Sequence, residues 1–205
     1  MRGIWVCADI KSLLQEYICD IGIIILKNER NLLRPAKSIA EKMIKVDHTG
    51  ENGAVNIYRA QRWVSYIRAR HLIPQLEEFQ SHEEEHRDIF KARLNEMAVR
   101  QCISYHLSGM GGFALGFITG LIGPSAIAAT TYAVEDVVLT HLEHQLPYLL
   151  QTDPESYKAV RRIYDDEMEH HQTAEVQMQQ NKVLTKLLVR VVKLCTEGVI
   201  RFGMR

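Results

Sequence analysis

Glu83-Glu84-Glu85-His86 and Glu167-Met168-Glu169-His170 are the two stretches on which the reading of this chain turns. Each contains a Glu-x-x-His, and 32 residues before each stands a single glutamate, Glu51 or Glu135. The whole Glu…Glu-x-x-His unit therefore recurs at a constant offset of 84 residues. A spacing kept to the residue across loops needs a geometric cause. Positions i and i+3 share a helix face and lie about 4.5 Å apart along the axis, so a carboxylate and an imidazole can converge on one ion.

The upstream glutamates complete the geometry. Two antiparallel helices joined by a tight turn bring residues equidistant from the turn to one height. The midpoint between Glu135 and Glu167 is residue 151, beside Asp153-Pro154, and that between Glu51 and Glu83 is residue 67, just before His71-Leu72-Ile73-Pro74. Sixteen residues on each arm correspond to about 24 Å of helix, deep within a bundle. The spacing predicts two helical hairpins whose four glutamates lie level with one another.

Four carboxylates and two imidazoles, two Glu-x-x-His helices facing two single-Glu helices, make the ligand set of ferritin-like di-iron and di-manganese bundles. Two divalent cations would neutralise the four acids, which otherwise carry a heavy burial cost or take up protons. Oxygen-rich ligation with one imidazole per metal suits iron or manganese. A lone Glu-x-x-His is common on solvated helices, and Glu83-Glu84-Glu85 alone would read as a surface run. Matched upstream acids and matched apolar neighbours argue otherwise: at the same offset Val55 pairs with Leu139, Leu76 with Val160 and Phe79 with Ile163.

Around this unit the chain reads as all-α, a ferritin-like four-helix bundle. Its 205 residues suit one domain with a substantial core. The 25 basic and 25 acidic residues balance, so no nucleic-acid partner is expected. Cys7, Cys19, Cys102 and Cys195 stand far apart, as reduced, packed thiols would. Residues 35–205 are assigned to the ferritin-like domain and 1–34 to an N-terminal extension, either an extra helix or a mis-called start. That extension does not read as an export signal. Asp20 interrupts the approach to the short apolar run Ile21–Leu26, and with Asp9 and Glu16 it also argues against a transit peptide.

A first helix is expected from Pro35 to about Arg70, weakened at Gly50 and Gly53, so close packing or a kink is expected near Glu51. A second runs from Pro74 to about Gln101 and a third to about Leu150. Asp153-Pro154-Glu155 then supplies a cap, an N1 proline and a first-turn acid for a fourth. Val183 to Met204 reads as a basic amphipathic helix.

Between the halves lies Leu107 to Val134, without a formal charge, with Gly112, Gly116 and Gly120 at four-residue spacing and a break at Gly123-Pro124-Ser125. A straight spanning helix would separate the two halves of the site. The segment is therefore either a buried connection or an apolar patch at a membrane surface. The basic last helix favours the second, so segments of about 107–124 and 183–204 are taken as membrane-associating.

Second-rank candidates are Asp47 and His48, one turn before Glu51. Asp47 could orient a ligand histidine. His141 lies off the Glu135 face and is a candidate for proton or substrate contact. Tyr58 and the apolar segment around Phe113 and Phe117 are candidates for lining a substrate cavity. His82, His144 and His171 are expected to face solvent.

Val46-Asp47-His48-Thr49-Gly50-Glu51, Ile57-Tyr58, Glu83-x-x-His86, Gly112-Phe113-Ala114-Leu115-Gly116, Ala133-Val134-Glu135 and Asp166-Glu167-Met168-Glu169-His170-His171 resemble, in order, the demethoxyubiquinone hydroxylases of coenzyme Q biosynthesis. The resemblance runs from about Ile39 to the C-terminus. It implies a di-iron monooxygenase, peripheral to a membrane, that hydroxylates the ring of a polyprenylated demethoxyubiquinol with O2. It implies two iron ions per chain held by Glu51, Glu83, His86, Glu135, Glu167 and His170. It also implies an external reductant such as NADH and other coenzyme Q biosynthesis proteins as partners. The location would be the cytoplasmic face of a bacterial inner membrane or the matrix face of the mitochondrial inner membrane. Where the family commonly has His-Tyr six and seven residues after the third-helix glutamate, this chain has His141-Leu142, so a tyrosine-dependent step there does not carry over. The rival readings are a membrane quinol oxidase, a rubrerythrin- or ferritin-like peroxidase or iron oxidase, and a membrane-associated helical scaffold.

Overall fold

In the computed structural model, which describes residues 33–178 and 183–204, the first long helix begins where its cap is written. Ser38 Oγ accepts from the Glu41 amide at 3.1 Å and Glu41 Oε2 accepts from the Ser38 amide at 3.1 Å, a reciprocal capping box. Helix α1 therefore spans Ile39–Arg68. The expected start at Pro35 is four residues too early, because the Ser-x-x-Glu cap outweighs a tolerated proline. A 3-10 turn over Arg70–Leu72 leads into α2, Ile73–Glu96, which stops short of the expected Gln101. Next come α3, Tyr105–Ile122, and α4, Pro124–Thr152. Then follow α5, Pro154–Gln177, and α6, Val183–Gly203.

Asp153 caps α5 as its sequence predicts: its side chain accepts from the Ser156 amide at 3.2 Å, and Pro154 stands in the first turn. Arg93, near the end of α2, clamps the same corner, with Nη2 at 2.8 Å from Asp153 Oδ1 and Nε donating to Ser156 Oγ at 3.0 Å.

The elements form an all-α bundle of two hairpins, α1–α2 and α4–α5, with α3 laid along α1 and α6 along α4. One apolar cluster joins Ile44 of α1, Phe90 and Leu94 of α2, Leu142 and Leu149 of α4, and Val160 and Ile163 of α5. A second joins Ala54 and Tyr58 of α1, Leu76 and Phe79 of α2, and Ile127 of α4. In α1, α2 and α4 the glutamate falls, along the chain, between residues of one cluster and residues of the other. The acids thus sit in the middle of the core. All six apolar residues paired by the 84-residue offset are buried.

The uncharged segment is two helices broken at Gly123, whose φ of 122° is open to glycine and strained for other residues. Its glycines meet α1 backbone to backbone. A Cβ at Gly112 would stand 2.2 Å from the Gly53 carbonyl oxygen, and one at Gly116 2.2 Å from that of Ile57. Asn52 Nδ2 donates to the Tyr105 carbonyl at 2.8 Å and Gln61 Nε2 to Thr119 Oγ1 at 3.1 Å, tying the seam with polar contacts. The other side of α3 is exposed: Leu107, Met110, Ile118 and Ile122 face out, with Phe113 and Phe117 beside exposed Trp63 of α1. By length and composition α3 is long and apolar enough to cross a membrane. The outer side of α6 likewise exposes Leu184, Leu187, Leu194 and Phe202. Cys102 is buried and Cys195 exposed, both as free thiols. The readings placed on the N-terminal extension through residue 32, with Cys7 and Cys19, lie outside the described residues.

Candidate metal centre

Glu51, Glu83, His86, Glu135, Glu167 and His170 meet in the middle of the bundle, and all six are buried. Their donor atoms form two overlapping groups, each within 4.8 Å: Glu51, Glu83, His86 and Glu167 in one, Glu83, Glu135, Glu167 and His170 in the other. Each group takes its single glutamate from one hairpin or the other. Glu83 and Glu167 belong to both, as carboxylates that bridge two ions would.

Both imidazoles turn Nδ1 inward. His86 Nδ1 lies 3.1 Å from Glu167 Oε1 and 3.7 Å from Glu83 Oε2, and His170 Nδ1 lies 3.3 Å from Glu83 Oε1 and 3.8 Å from Glu167 Oε2. Their outer nitrogens have separate partners. His86 Nε2 pairs with Asp166 Oδ2 at 3.1 Å and His170 Nε2 with His82 Nδ1 at 3.0 Å. His82 is therefore not solvent-facing as expected: it stacks on His170, with ring centroids 5.3 Å apart. His171 is also covered, against Tyr132 and Asp136, whereas His144 is exposed.

The donor set fits a pair of cations. Four inward atoms, Glu83 Oε1 and Oε2, Glu167 Oε2 and His170 Nδ1, are buried without a hydrogen bond, a costly state that coordination would relieve. Without metal, Glu51 and Glu135 are driven toward their protonated forms. Burial, then the charges of Glu83 and Glu167, push Glu51 well above the usual carboxylate range; burial and the same two acids, with Glu167 ahead of Glu83, do so at Glu135. At Glu83 burial is outweighed by the two imidazoles, which hold it well below that range. At His86 burial opposes the charge, but the hydrogen bond to Glu167 and the facing carboxylate of Glu83 push it up to about 12.

Beside the cluster is a cavity of about 640 Å³ between α1, α3, α4 and α6. Glu51 and Glu135 reach its wall, as do Asp47 and His141, and the rest is largely apolar, including Ile57, Leu115, Val138 and Val192. Leu107 and Phe202, exposed on the outside, also line it, so the cavity runs from the acids to the apolar face.

The second-rank candidates separate here. Asp47 does not orient a ligand histidine: its Oδ1 accepts from Gln145 Nε2 at 2.9 Å and its Oδ2 is covered without a partner. Asp166 and His82 stand at the imidazoles instead. His48 is buried and stacked on Tyr105 at 4.8 Å. His141 Nε2 lies 3.3 Å from Glu197 Oε1. Tyr58 is buried away from the cavity, donating its hydroxyl to Glu135 Oε1 at 2.9 Å, and Phe113 and Phe117 lie on the outer side of α3, while Gly111, Gly112 and Leu115 form the wall. The missed partners were signalled at the 84-residue offset, which makes His82 the counterpart of Asp166.

Residues 38–203 match the family model described as ubiquinone biosynthesis protein COQ7. The chain belongs to this family. It is similar to the NADPH-dependent 3-demethoxyubiquinone 3-hydroxylase, mitochondrial, of Mus musculus, 31% identical over 141 residues that cover 67% of this chain and 64% of the relative. It is also similar to the 5-demethoxyubiquinone hydroxylase, mitochondrial, of Saccharomyces cerevisiae, 34% identical over 160 residues, 71% of this chain and 69% of the relative. The 3-demethoxyubiquinol 3-hydroxylase of Delftia acidovorans is 30% identical over 144 residues, 69% of this chain and 68% of the relative. The match thus spans just under two thirds of the mouse relative and slightly more of the other two.

Proposed function

We propose that the protein hydroxylates the ring of a polyprenylated demethoxyubiquinol in ubiquinone biosynthesis, with O2 as oxidant. The observation that carries this reading is the meeting of the buried Glu/His cluster and the apolar cavity at Glu51 and Glu135. The relatives' names supply the substrate class.

Glu51, Glu83, His86 and Glu167 would hold one iron ion, and Glu83, Glu135, Glu167 and His170 the other. When bound, the two irons supply the activation of O2. The reaction balances as ring C–H plus O2, two electrons and two protons giving ring C–OH and water, so a reductant must serve each turnover. A reduced nicotinamide suits that need, in line with the NADPH named for the mouse relative.

The chain's own residues set the conditions. Ile57, Leu115, Val138 and Val192 exclude water around the ring and its tail. Asp166 and His82 hold the two imidazoles with Nδ1 turned inward. Asp47 and His141 are among the polar groups of the cavity wall available to a ring oxygen. The apolar outer sides of α3 and α6, with Lys186 and Arg190 exposed on α6, suit a membrane surface from which a polyprenyl tail enters. The mouse and yeast relatives are named as mitochondrial, so the matrix face of the inner membrane is one setting; the cytoplasmic face of a bacterial membrane imposes the same chemistry.

The decisive assay incubates the iron-loaded protein with a demethoxyquinone, NADH or NADPH with a mediator, and isotopically labelled O2, followed by mass spectrometry. The product should gain one labelled oxygen atom. Quinol that is only reoxidised would instead make the protein a quinol oxidase.

A further inference from the structure

We infer that the two metal positions are unequal, the one built on Glu51 and His86 binding more tightly than the one built on Glu135 and His170, because His82 and Tyr58 weaken the second donor set. This rests on the di-metal reading of the cluster.

The 84-residue offset makes the comparison direct, since each supporting residue has a counterpart in the other hairpin. The position before the first Glu of each Glu-x-x-His supports the histidine of the opposite hairpin: Asp166 meets His86 Nε2 at 3.1 Å, and His82 meets His170 Nε2 at 3.0 Å. The geometry is the same and the chemistry is not. With Nδ1 committed to a metal, each Nε2 carries the ring's proton and donates it outward. A carboxylate acceptor draws on that proton strongly and raises the basicity of the imidazole. The neutral Nδ1 of His82 draws on it less, so His170 is the poorer donor.

The single glutamates differ in the same sense. Tyr58, seven residues after Glu51, donates its hydroxyl to Glu135 of the other hairpin at 2.9 Å. Its counterpart, seven residues after Glu135, is Leu142, a buried side chain with no hydroxyl to give Glu51. A hydrogen bond already accepted by Glu135 withdraws charge from the oxygen that would face a cation, and Leu142 offers Glu51 no such bond. Both asymmetries favour the first position. His82 and Asp166 are positioning residues, acting through the imidazoles they hold.

The test is anaerobic titration of the metal-free full chain with cobalt(II), followed by absorption and calorimetry. Wild type should take up two ions in two resolved steps. His82→Asp should tighten the second step by about ten- to a hundredfold, the usual weight of such partners, and bring the steps together. Tyr58→Phe should tighten the same step, and Asp166→Asn should loosen the first. Circular dichroism of each metal-free variant checks the fold, and His82→Asp alone decides if Asp166→Asn does not fold. Two ions bound with indistinguishable constants, or a second step unmoved in a folded His82→Asp, would overturn this inference and leave the di-metal reading standing. Fewer than two ions per wild-type chain would overturn both.

Discussion

The Tyr58 hydroxyl reaches across the bundle to Glu135 Oε1, 2.9 Å away, joining α1 of one hairpin to α4 of the other inside the core. The ring itself stands edge-on to Phe79 at 5.7 Å, so Tyr58→Phe keeps the packing and removes only the donor. A buried acceptor left without its partner costs about 1–3 kcal/mol. The metal-free variant should lose stability by that order in urea unfolding, with an unchanged denaturant slope.

Glu83 and Glu167 serve both halves of the cluster, whereas Glu51 and Glu135 serve one each. Glu83→Ala or Glu167→Ala should therefore abolish binding of both irons, and Glu51→Ala should leave about one per chain. Elemental analysis after anaerobic reconstitution separates the cases. Equal loss from all three variants would contradict the shared roles.

The α1–α3 seam predicts opposite outcomes for neighbouring glycines. Gly112→Ala or Gly116→Ala drives a methyl into a backbone carbonyl, and overpacking of this kind costs about 1–3 kcal/mol or more. Gly111→Ala meets nothing within 4 Å and should be neutral or gain up to about 1 kcal/mol from helix propensity. Thermal denaturation of the three variants reads the contrast.

Asp47 and His48 give the fold opposing pH responses. Burial pushes the Asp47 carboxyl up to about 7, against the hydrogen bond from Gln145. Burial pushes the His48 imidazole down to about 4, assisted by the charges of Lys91 and Arg87. From pH 3.8, where the unfolded Asp47 ionises, to about 7, the folded state keeps a proton that the unfolded chain has lost. Its contribution to stability therefore falls as pH rises, by up to about 1.4 kcal/mol per unit. Below 6.5 the unfolded His48 takes up a proton that the folded state refuses until about 4, so its contribution falls as pH falls. Asp47→Asn should gain on wild type as pH rises through the first window, and His48→Gln should gain on it as pH falls through the second. Urea midpoints across both windows give the two slopes.

Membrane association predicts two separable losses. Phe113→Ser with Phe117→Ser removes apolar surface worth about 2 kcal/mol per ring when buried, and should weaken cosedimentation with vesicles at any salt. Lys186→Glu and Arg190→Glu should weaken it on anionic vesicles only, by about 1 kcal/mol per charge removed and less at high salt. Variants that still bind neutral and anionic vesicles like wild type would count against the membrane reading.

Much of this was legible in the chain. The level placement of Glu51, Glu83, Glu135 and Glu167 follows from spacing alone, because helix rise converts residue counts into height. The Asp153-Pro154 cap follows from local chemistry. The Ser38…Glu41 box was equally readable and sets the start of α1 in place of Pro35. Asp166 and His82 were less visible, because they flank the ligand face and find their partners only across the bundle. The target of Tyr58 likewise depends on how the hairpins pair, and which wall of α3 lines the cavity depends on which side its glycines choose.

The glycine seam has a mechanical consequence. Where Gly112 and Gly116 abut the carbonyls of Gly53 and Ile57, there is no side chain between α3 and α1 to absorb a displacement. Gly53 is two residues from Glu51 on the same helix. A push on the outer face of α3 would therefore arrive, nearly undamped, at the backbone that carries one of the cluster's carboxylates.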